Sequence, residues 1–442
     1  MSVQTDGADR NLKNLPKLFS QFFASAIAKI FSQVILLVIS SRILTPSEFG
    51  VAALFLAVGA LFEVFLRFGL TQSFIKSQDG NQQIFEALHA FYSTVTAMAC
   101  IGVTVAYSLS GWTVTDKYLI AAIFLCISTC CLLFSTLYSA KLSIQGDLAT
   151  IAKADAVSVG AGNIVIGIPL LYMWPEWPAL IFLKLVRDFL LLLFYRKEMI
   201  RPCLLNSQTY ALLLPLLRNG IKFLFTKLLS VGSLRIHDFL IPATLGLDNA
   251  GLFNRAYAVG NIPIEIANSV FDKALFPIAA GNVGEAKKIP AVKNFSIFIF
   301  IGLAFFCLLV GYSIGPIASF LLGDQWVVVI DVLSIFTCFS IYRIGYKFIE
   351  TILKARSSLN FTIFLNIFQL IASALGILSF SYLGLMGVVL ALGLTYLVKF
   401  LISLFIFRGI FQLGNFWFFL MFLLSTFYAL LLYFMFYPSF YL

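Results

Sequence analysis

Glu63 and Arg67 stand four residues apart inside AALFLAVGALFEVFLRFGL (52–70), a run otherwise apolar enough to cross a bilayer. On a helix that spacing puts both on one face, where they can pair. A charge at bilayer depth costs roughly 2.5–3.5 kcal/mol on insertion scales, so neither can face lipid. Arg235 and Asp238 are also spaced for a local pair, and Lys29, Lys227, Arg255, Lys273, Glu265 and Asp272 lie in or beside other apolar runs. The chemistry these groups offer is electrostatic. Arginine suits bidentate binding of phosphate and carboxylate, and lysine acts as a point charge. A paired carboxylate can take up a proton or cation, because protonation loosens its hold on its partner. Lys29, Arg67, Lys227, Arg235, Arg255 and Lys273 are therefore the candidate anion-binding residues. Glu63, Asp238, Glu265 and Asp272 are the candidate ion-coupling residues.

Covalent chemistry finds no support. No nucleophile triad, catalytic carboxylate pair or metal-ligand spacing occurs, and His89 and His237 are too far apart for a convincing metal site. His237 beside Asp238 reads as structural rather than as a proton relay. There is no GxxxxGK[ST] for a nucleotide, so neither enzyme activity nor cofactor is expected.

Cations dominate the apolar runs. Lys184, Arg187, Lys222, Arg343, Lys347 and Lys399 join the six above, against Glu63, Asp188, Asp238, Glu265, Asp272, Asp331 and Glu350. So many charges require a hydrated interior, and their balance makes it electropositive and suited to an anionic cargo. Some have plainer readings. Lys184 and Lys222 read as snorkelling from helix ends. Arg343, Lys347 and Glu350 share a face and could brace one end of their helix. Arg187 and Asp188 diverge, and Lys399 either faces the cavity or snorkels.

The elements that position these groups are membrane helices. The chain is 61% hydrophobic and only 11% charged, where soluble proteins carry roughly 25% charged residues. Apolar segments fall near 17–42, 49–74, 84–110, 117–142, 148–173 and 179–196, then 219–243, 250–276, 293–321, 326–353, 359–382, 384–407 and 415–437. That makes about 13 spans of about 20 residues, joined by short loops. The polar start MSVQTDGADRNLKNLPK is unlike a signal peptide, and the seven cysteines, mostly within apolar runs, read as small buried hydrophobes. Lys and Arg crowd alternate loops, among them Lys76, Lys141, Arg196, Lys197, Lys287 and Lys288, which places the N-terminus in the cytoplasm. The basic excess thus follows membrane topology, and nucleic acid is not an expected partner. The stretch 198–215 reads as a linker between halves. LTPSEFGVAALFLAVG (44–59) and LGLDNAGLFNRAYAVG (245–260) share a leucine, a glycine six residues on and a terminal AVG, as parallel repeats would.

SRILTPSEFG, LGLDNAGLFNRAYAVGNIP, FDKALFPIAA, LLGDQW and LGLMGVVLALGLTYLVKFLISL, in this order, resemble the polysaccharide transporter family of the multidrug/oligosaccharidyl-lipid/polysaccharide (MOP) export superfamily. Arg42, Gly50, Asp238, Gly251, Asn254, Arg255 and Pro277 stand where that family's pattern places them. The resemblance implies an all-α polytopic membrane protein, with two six-helix lobes around a central cavity as in multidrug (MATE) transporters. Residues 1–200 and 201–411 would be the lobes, and 412–442 about one additional C-terminal helix. It also implies a flippase in the bacterial inner membrane. Its cargo would be a polyprenyl-diphosphate-linked oligosaccharide for O-antigen or exopolysaccharide, and polymerase or export machinery its further partners. Alternatives are a multidrug or cation antiporter, which would need an acid-lined cavity, and a polymerase or ligase, which would need a sizeable outside loop.

Overall fold

The computed structural model describes residues 28–77, 82–110, 116–145, 147–199, 207–270, 326–355 and 359–411. The described elements are helical. They are α1 (28–43), α2 (Pro46–Arg67), α3 (Leu70–Ser77), α4 (Gln82–Ser110), α5 (Lys117–Gln145), α6 (Leu148–Ala161), α7 (Ile168–Met173) and α8 (Pro178–Phe194). They continue with α9 (Ser207–Leu245), α10 (Leu247–Gly260), α11 (Ile262–Val270), α12 (Val327–Ala355), α13 (Leu359–Phe380) and α14 (Gly384–Phe411). Among the described residues, five helical stretches are long and apolar enough to cross a membrane, six if the bent pair Val328–Thr337 and Phe339–Leu353 is one span. Large apolar side chains such as Phe31, Phe65, Met98, Val165 and Phe405 lie exposed, as lipid contact requires. The protein is a multi-pass membrane protein. The proposed last helix, 412–442, lies outside the described residues.

By packing, the chain divides into two units, 1–44 with 51–232 and 45–50 with 233–442. In the first, α4 and α8 pack on α5, and Leu70, Phe74, Phe85, Leu88, Tyr92, Leu133, Leu137 and Leu213 form a buried core. One end of this unit is aromatic: Phe55, Tyr118 and Trp177 lie together where Lys117 pairs with Glu176 at 2.8 Å. Between α6 and α7 the helix takes one π turn, Gly162–Gly167. Gly162 is needed there, since a Cβ would run into the Cγ of Arg187 on α8. Its neighbour Asn163 donates from Nδ2 to Ser32 Oγ on α1 at 3.2 Å.

In the second unit α12 packs on α10 and α14, and α13 lies along α14. The segment 44–50 shows how sequence sets local structure. Thr45 precedes Pro46, which has no N–H to leave unpaired in the first turn. Glu48 Oε2 accepts from the Thr45 backbone N–H at 2.9 Å and from its hydroxyl at 3.0 Å, a side-chain cap for the start of α2. Gly246, at φ 86°, gives α10 its sharp entry. The two repeat motifs then meet. A Cβ on Gly50 would strike the carbonyl of Leu247, and one on Gly251 would strike the carbonyl of Pro46. Equivalent residues of the repeat thus make the same contact in both directions.

The expected linker at 198–215 is partly helix, because α9 already begins at Ser207. The apolar run ALLLPLL keeps it helical through Pro215, which removes one backbone donor without ending the helix.

Candidate functional site: two networks of charge inside apolar helices

The first network joins three helices of the first unit. Lys184 Nζ on α8 donates to Glu63 Oε1 on α2 at 2.7 Å, to Asp188 Oδ2 at 2.8 Å and to Ser128 Oγ on α5 at 2.9 Å. Ser128 in turn donates to Asp188 Oδ2 at 2.5 Å. Arg67 approaches Glu63 at 3.8 Å. The Glu63, Lys184 and Asp188 side chains are each only 15% exposed, so this polar knot is solvated chiefly by itself. Two acids and two bases close it with no net charge. An ammonium held by two carboxylates and a hydroxyl is rearranged when either acid takes up a proton, the behaviour a coupling site needs.

The second network runs through the second unit. Arg235 Nη1 donates to Asp238 Oδ2 at 3.0 Å, and His237 Nε2 lies 3.4 Å from Asp238 Oδ1. The His237 ring packs on Phe253 and Tyr257 at 4.8 and 4.5 Å between centroids. Arg343 donates from Nη2 to Tyr257 Oη at 3.1 Å and lies over the rings of Tyr257 and Tyr396, at 5.0 and 4.7 Å. Tyr396 stacks with Tyr346, and Lys399 Nζ sits 4.1 Å over the Tyr346 ring. Lys399 donates to Gln369 Oε1 at 2.5 Å and to Asn366 Oδ1 at 3.4 Å. Nearby, the Arg255 guanidinium lies 3.2 Å over Phe49, which meets Trp326 edge-on. Cations here rest largely on aromatic faces and amides, which stabilise charge without cancelling it.

The structure brings together Glu63 with Arg67 and Arg235 with Asp238, as their spacing implied. Arg255 is buried against Phe49. Lys29 is half-buried on α1, while Lys227 on α9 and Glu265 on α11 are exposed. Asp272 and Lys273 lie outside the described residues. Lys184 is not a snorkelling residue. It sits two turns into α8 and carries the first network, because Glu63 and Ser128 reach it from neighbouring helices. Lys399 does not snorkel either, being 1% exposed. Arg343 and Lys399 were not singled out as binding residues, nor was the buried polar stripe of α13, Thr362, Asn366, Gln369 and Ser373. The signal for the stripe was its 4-3-4 spacing within an uncharged span. Among the described residues no group of three or more His, Cys, Asp or Glu could hold a metal.

Residues 39–331 match the family model described as polysaccharide biosynthesis protein. The chain belongs to that family. Among proteins of known role, this family member is 22% identical over 378 residues to the lipopolysaccharide biosynthesis protein WzxC of Escherichia coli K12, covering 83% of this chain and 75% of that one. Solved structures share the fold at low identity. The lipid II flippase MurJ in its inward closed conformation matches with TM-score 0.62 and 14% identity, over 96% of this chain and 99% of that one. An outward-facing MATE transporter of the MOP superfamily matches with TM-score 0.62 and 15% identity, over 89% and 95%. A MOP superfamily transporter from Pyrococcus furiosus matches with TM-score 0.63 and 15% identity, over the same shares. The chain is thus an all-α membrane protein of a polysaccharide biosynthesis family, with a MATE-like fold.

Proposed function

We infer that the chain is a flippase that moves polyprenyl-diphosphate-linked oligosaccharide units across the bacterial inner membrane for O-antigen or exopolysaccharide assembly. The observation that carries this reading is the cation-rich, aromatic-lined network of the second unit, buried within apolar helices. Such a network suits an anionic diphosphate and is costly to maintain without one. The names of its relatives, a lipopolysaccharide biosynthesis protein and a lipid II flippase, support the class of cargo. A cationic drug would instead favour a surplus of acids.

In this proposal two six-helix lobes, 1–200 and 201–411, rock between inward and outward states with the N-terminus in the cytoplasm, and 412–442 adds one further helix. Arg67, Arg235 and Arg255, with Lys29, Lys227 and Lys273, attract the cargo. An ion gradient drives the cycle through Glu63, now joined by Asp188 and Lys184, with Asp238, Glu265 and Asp272 as the other candidate carboxylates. Polymerase and export machinery would receive the cargo.

The test is a strain lacking the protein, with its polyprenyl-diphosphate oligosaccharides and surface polysaccharide quantified. Complete repeat units should accumulate while surface polymer falls, and the wild-type gene should reverse both. Unchanged lipid-linked sugars would sink the flippase reading. Units reaching the outer leaflet but staying unpolymerised would favour a polymerase.

A further inference from the structure

The polar stripe of α13 has no role in the pairings above beyond holding Lys399. Thr362, Asn366, Gln369 and Ser373 are each at most 3% exposed, and no charged residue lies between Leu359 and Phe380. Gln369 is used at both ends, accepting from Lys399 and donating from Nε2 to the Ser233 carbonyl at 3.4 Å. Its neighbours are not. Among the described residues Asn366 Nδ2, Thr362 Oγ1 and Ser373 Oγ have no hydrogen-bond partner, nor has Nε of Arg343, whose guanidinium lies over the Tyr396 ring. A buried donor left unmade is costly, and Asn366 Nδ2, on the side chain that Lys399 already reaches, calls for an acceptor. The charge count points the same way. Among the described residues α12 and α14 carry Arg343, Lys347 and Lys399 against the acids Asp331 and Glu350, and Glu350 lies 3.5 Å from Lys347. The first unit's network, by contrast, is balanced.

We propose that this seam between α12, α13 and α14 is a binding site for a phosphate-type oxyanion, with Lys399, Arg343 and Asn366 as its ligands. The proposal deepens the transport reading and rests on it for the source of the anion, the diphosphate of a lipid-linked cargo. An arriving oxyanion takes over the ammonium bonds now made by Gln369 Oε1 and Asn366 Oδ1, and Asn366 turns its Nδ2 toward it. Thr362, one turn before Asn366, supplies a hydroxyl donor. The tyrosine stack keeps Arg343 and Lys399 in place while the seam is empty of anion, because both cations rest on its rings.

The purified full-length chain in detergent, titrated with inorganic pyrophosphate and separately with geranylgeranyl diphosphate, tests this by calorimetry and thermal unfolding. Wild type should bind, and Lys399→Gln and Arg343→Gln should each weaken binding at least tenfold. Asn366→Asp should abolish it while leaving the ligand-free unfolding midpoint equal or higher, since it gives Lys399 an internal carboxylate of the same shape. That variant keeps the test sharp should the cation variants fold poorly. Equal affinity for the two probes would mean that the diphosphate alone is read, and tighter binding of the prenyl form would mean that the lipid cargo is read. Either result supports the site. Wild type indifferent to both probes, or folded variants binding as wild type does, would overturn it. The flippase reading fails separately. If repeat units accumulate in the deletion strain but Asn366→Asp restores export in full, the site is wrong and the transport reading stands. If the probes bind as expected but no lipid-linked sugar accumulates, the reverse holds.

Discussion

The reciprocal contact of Gly50 and Gly251 makes a quantitative expectation. Replacing either glycine by alanine improves helix propensity by about 1 kcal/mol. In both cases the new methyl falls on a backbone carbonyl, of Leu247 or of Pro46, which cannot swing aside as a side chain end could. Overpacking of this kind costs about 1–3 kcal/mol, and a fixed backbone belongs at the upper end. Each single variant should therefore be destabilised by about 1–2 kcal/mol net. The double variant carries the sharper test. Both methyls push the same two helix starts apart, so one displacement relieves both clashes. Gly50→Ala with Gly251→Ala should cost little more than the worse single change, a coupling of about 1–2 kcal/mol. Gly160 on α6 is the control, because a Cβ there meets nothing within 4 Å. Gly160→Ala should stabilise by up to about 1 kcal/mol. The measurement is unfolding of the purified protein in one detergent, followed by tryptophan fluorescence across an SDS titration. If Gly50→Ala and Gly251→Ala behave like Gly160→Ala, the close approach does not exist. If their costs simply add, the two clashes are not one contact.

Other expectations follow from the charge networks. Lys184→Met leaves two carboxylates facing each other beside Arg67 and Ser128, and should cost about 2–4 kcal/mol in the same assay; adding Glu63→Gln and Asp188→Asn should recover most of it while transport stays lost. Arg255→Lys keeps the charge but loses the guanidinium contact on Phe49, so in a complementation assay both Arg255→Lys and Arg255→Ala should lower export. Lys117 holds the Glu176 carboxyl below its usual range, so this pair adds stability only above the ordinary carboxylate range and loses it as pH falls through the lowered value. Because the pair is at the surface that contribution is small: Glu176→Gln should lower the unfolding midpoint slightly at neutral pH and leave it unchanged once pH is below the lowered value.

What the sequence made legible was local. Glu63 with Arg67 and Arg235 with Asp238 could be read because helical spacing alone sets them side by side. Thr45, Pro46 and Glu48 form a start signal for α2 of the same local kind, but the apolar run alone put that segment at 49–74. Lys184 was misread because its partners Glu63 and Ser128 come from other helices, and nothing in spacing says which helices will be neighbours. The α13 stripe escaped notice for a different cause. Uncharged amides and hydroxyls are tolerated in membrane helices, so their period carries weight only when their burial beside Lys399 is known. The repeat motif was visible as text, but not that its two glycines touch each other's motif.

The π turn at Gly162–Gly167 has a consequence for how related chains are compared. A π turn holds one residue more than an α-helix would use over the same path, and so records a single-residue insertion. Relatives without it should show a one-residue gap inside GNIVIG, and aligning them without that gap would shift every position through Met173 by one. On a helix one position is about 100°, enough to exchange a face that meets protein for one that meets lipid. Deleting one residue here should therefore rotate Leu171, which is buried, toward the bilayer and bring its exposed neighbour Tyr172 inward.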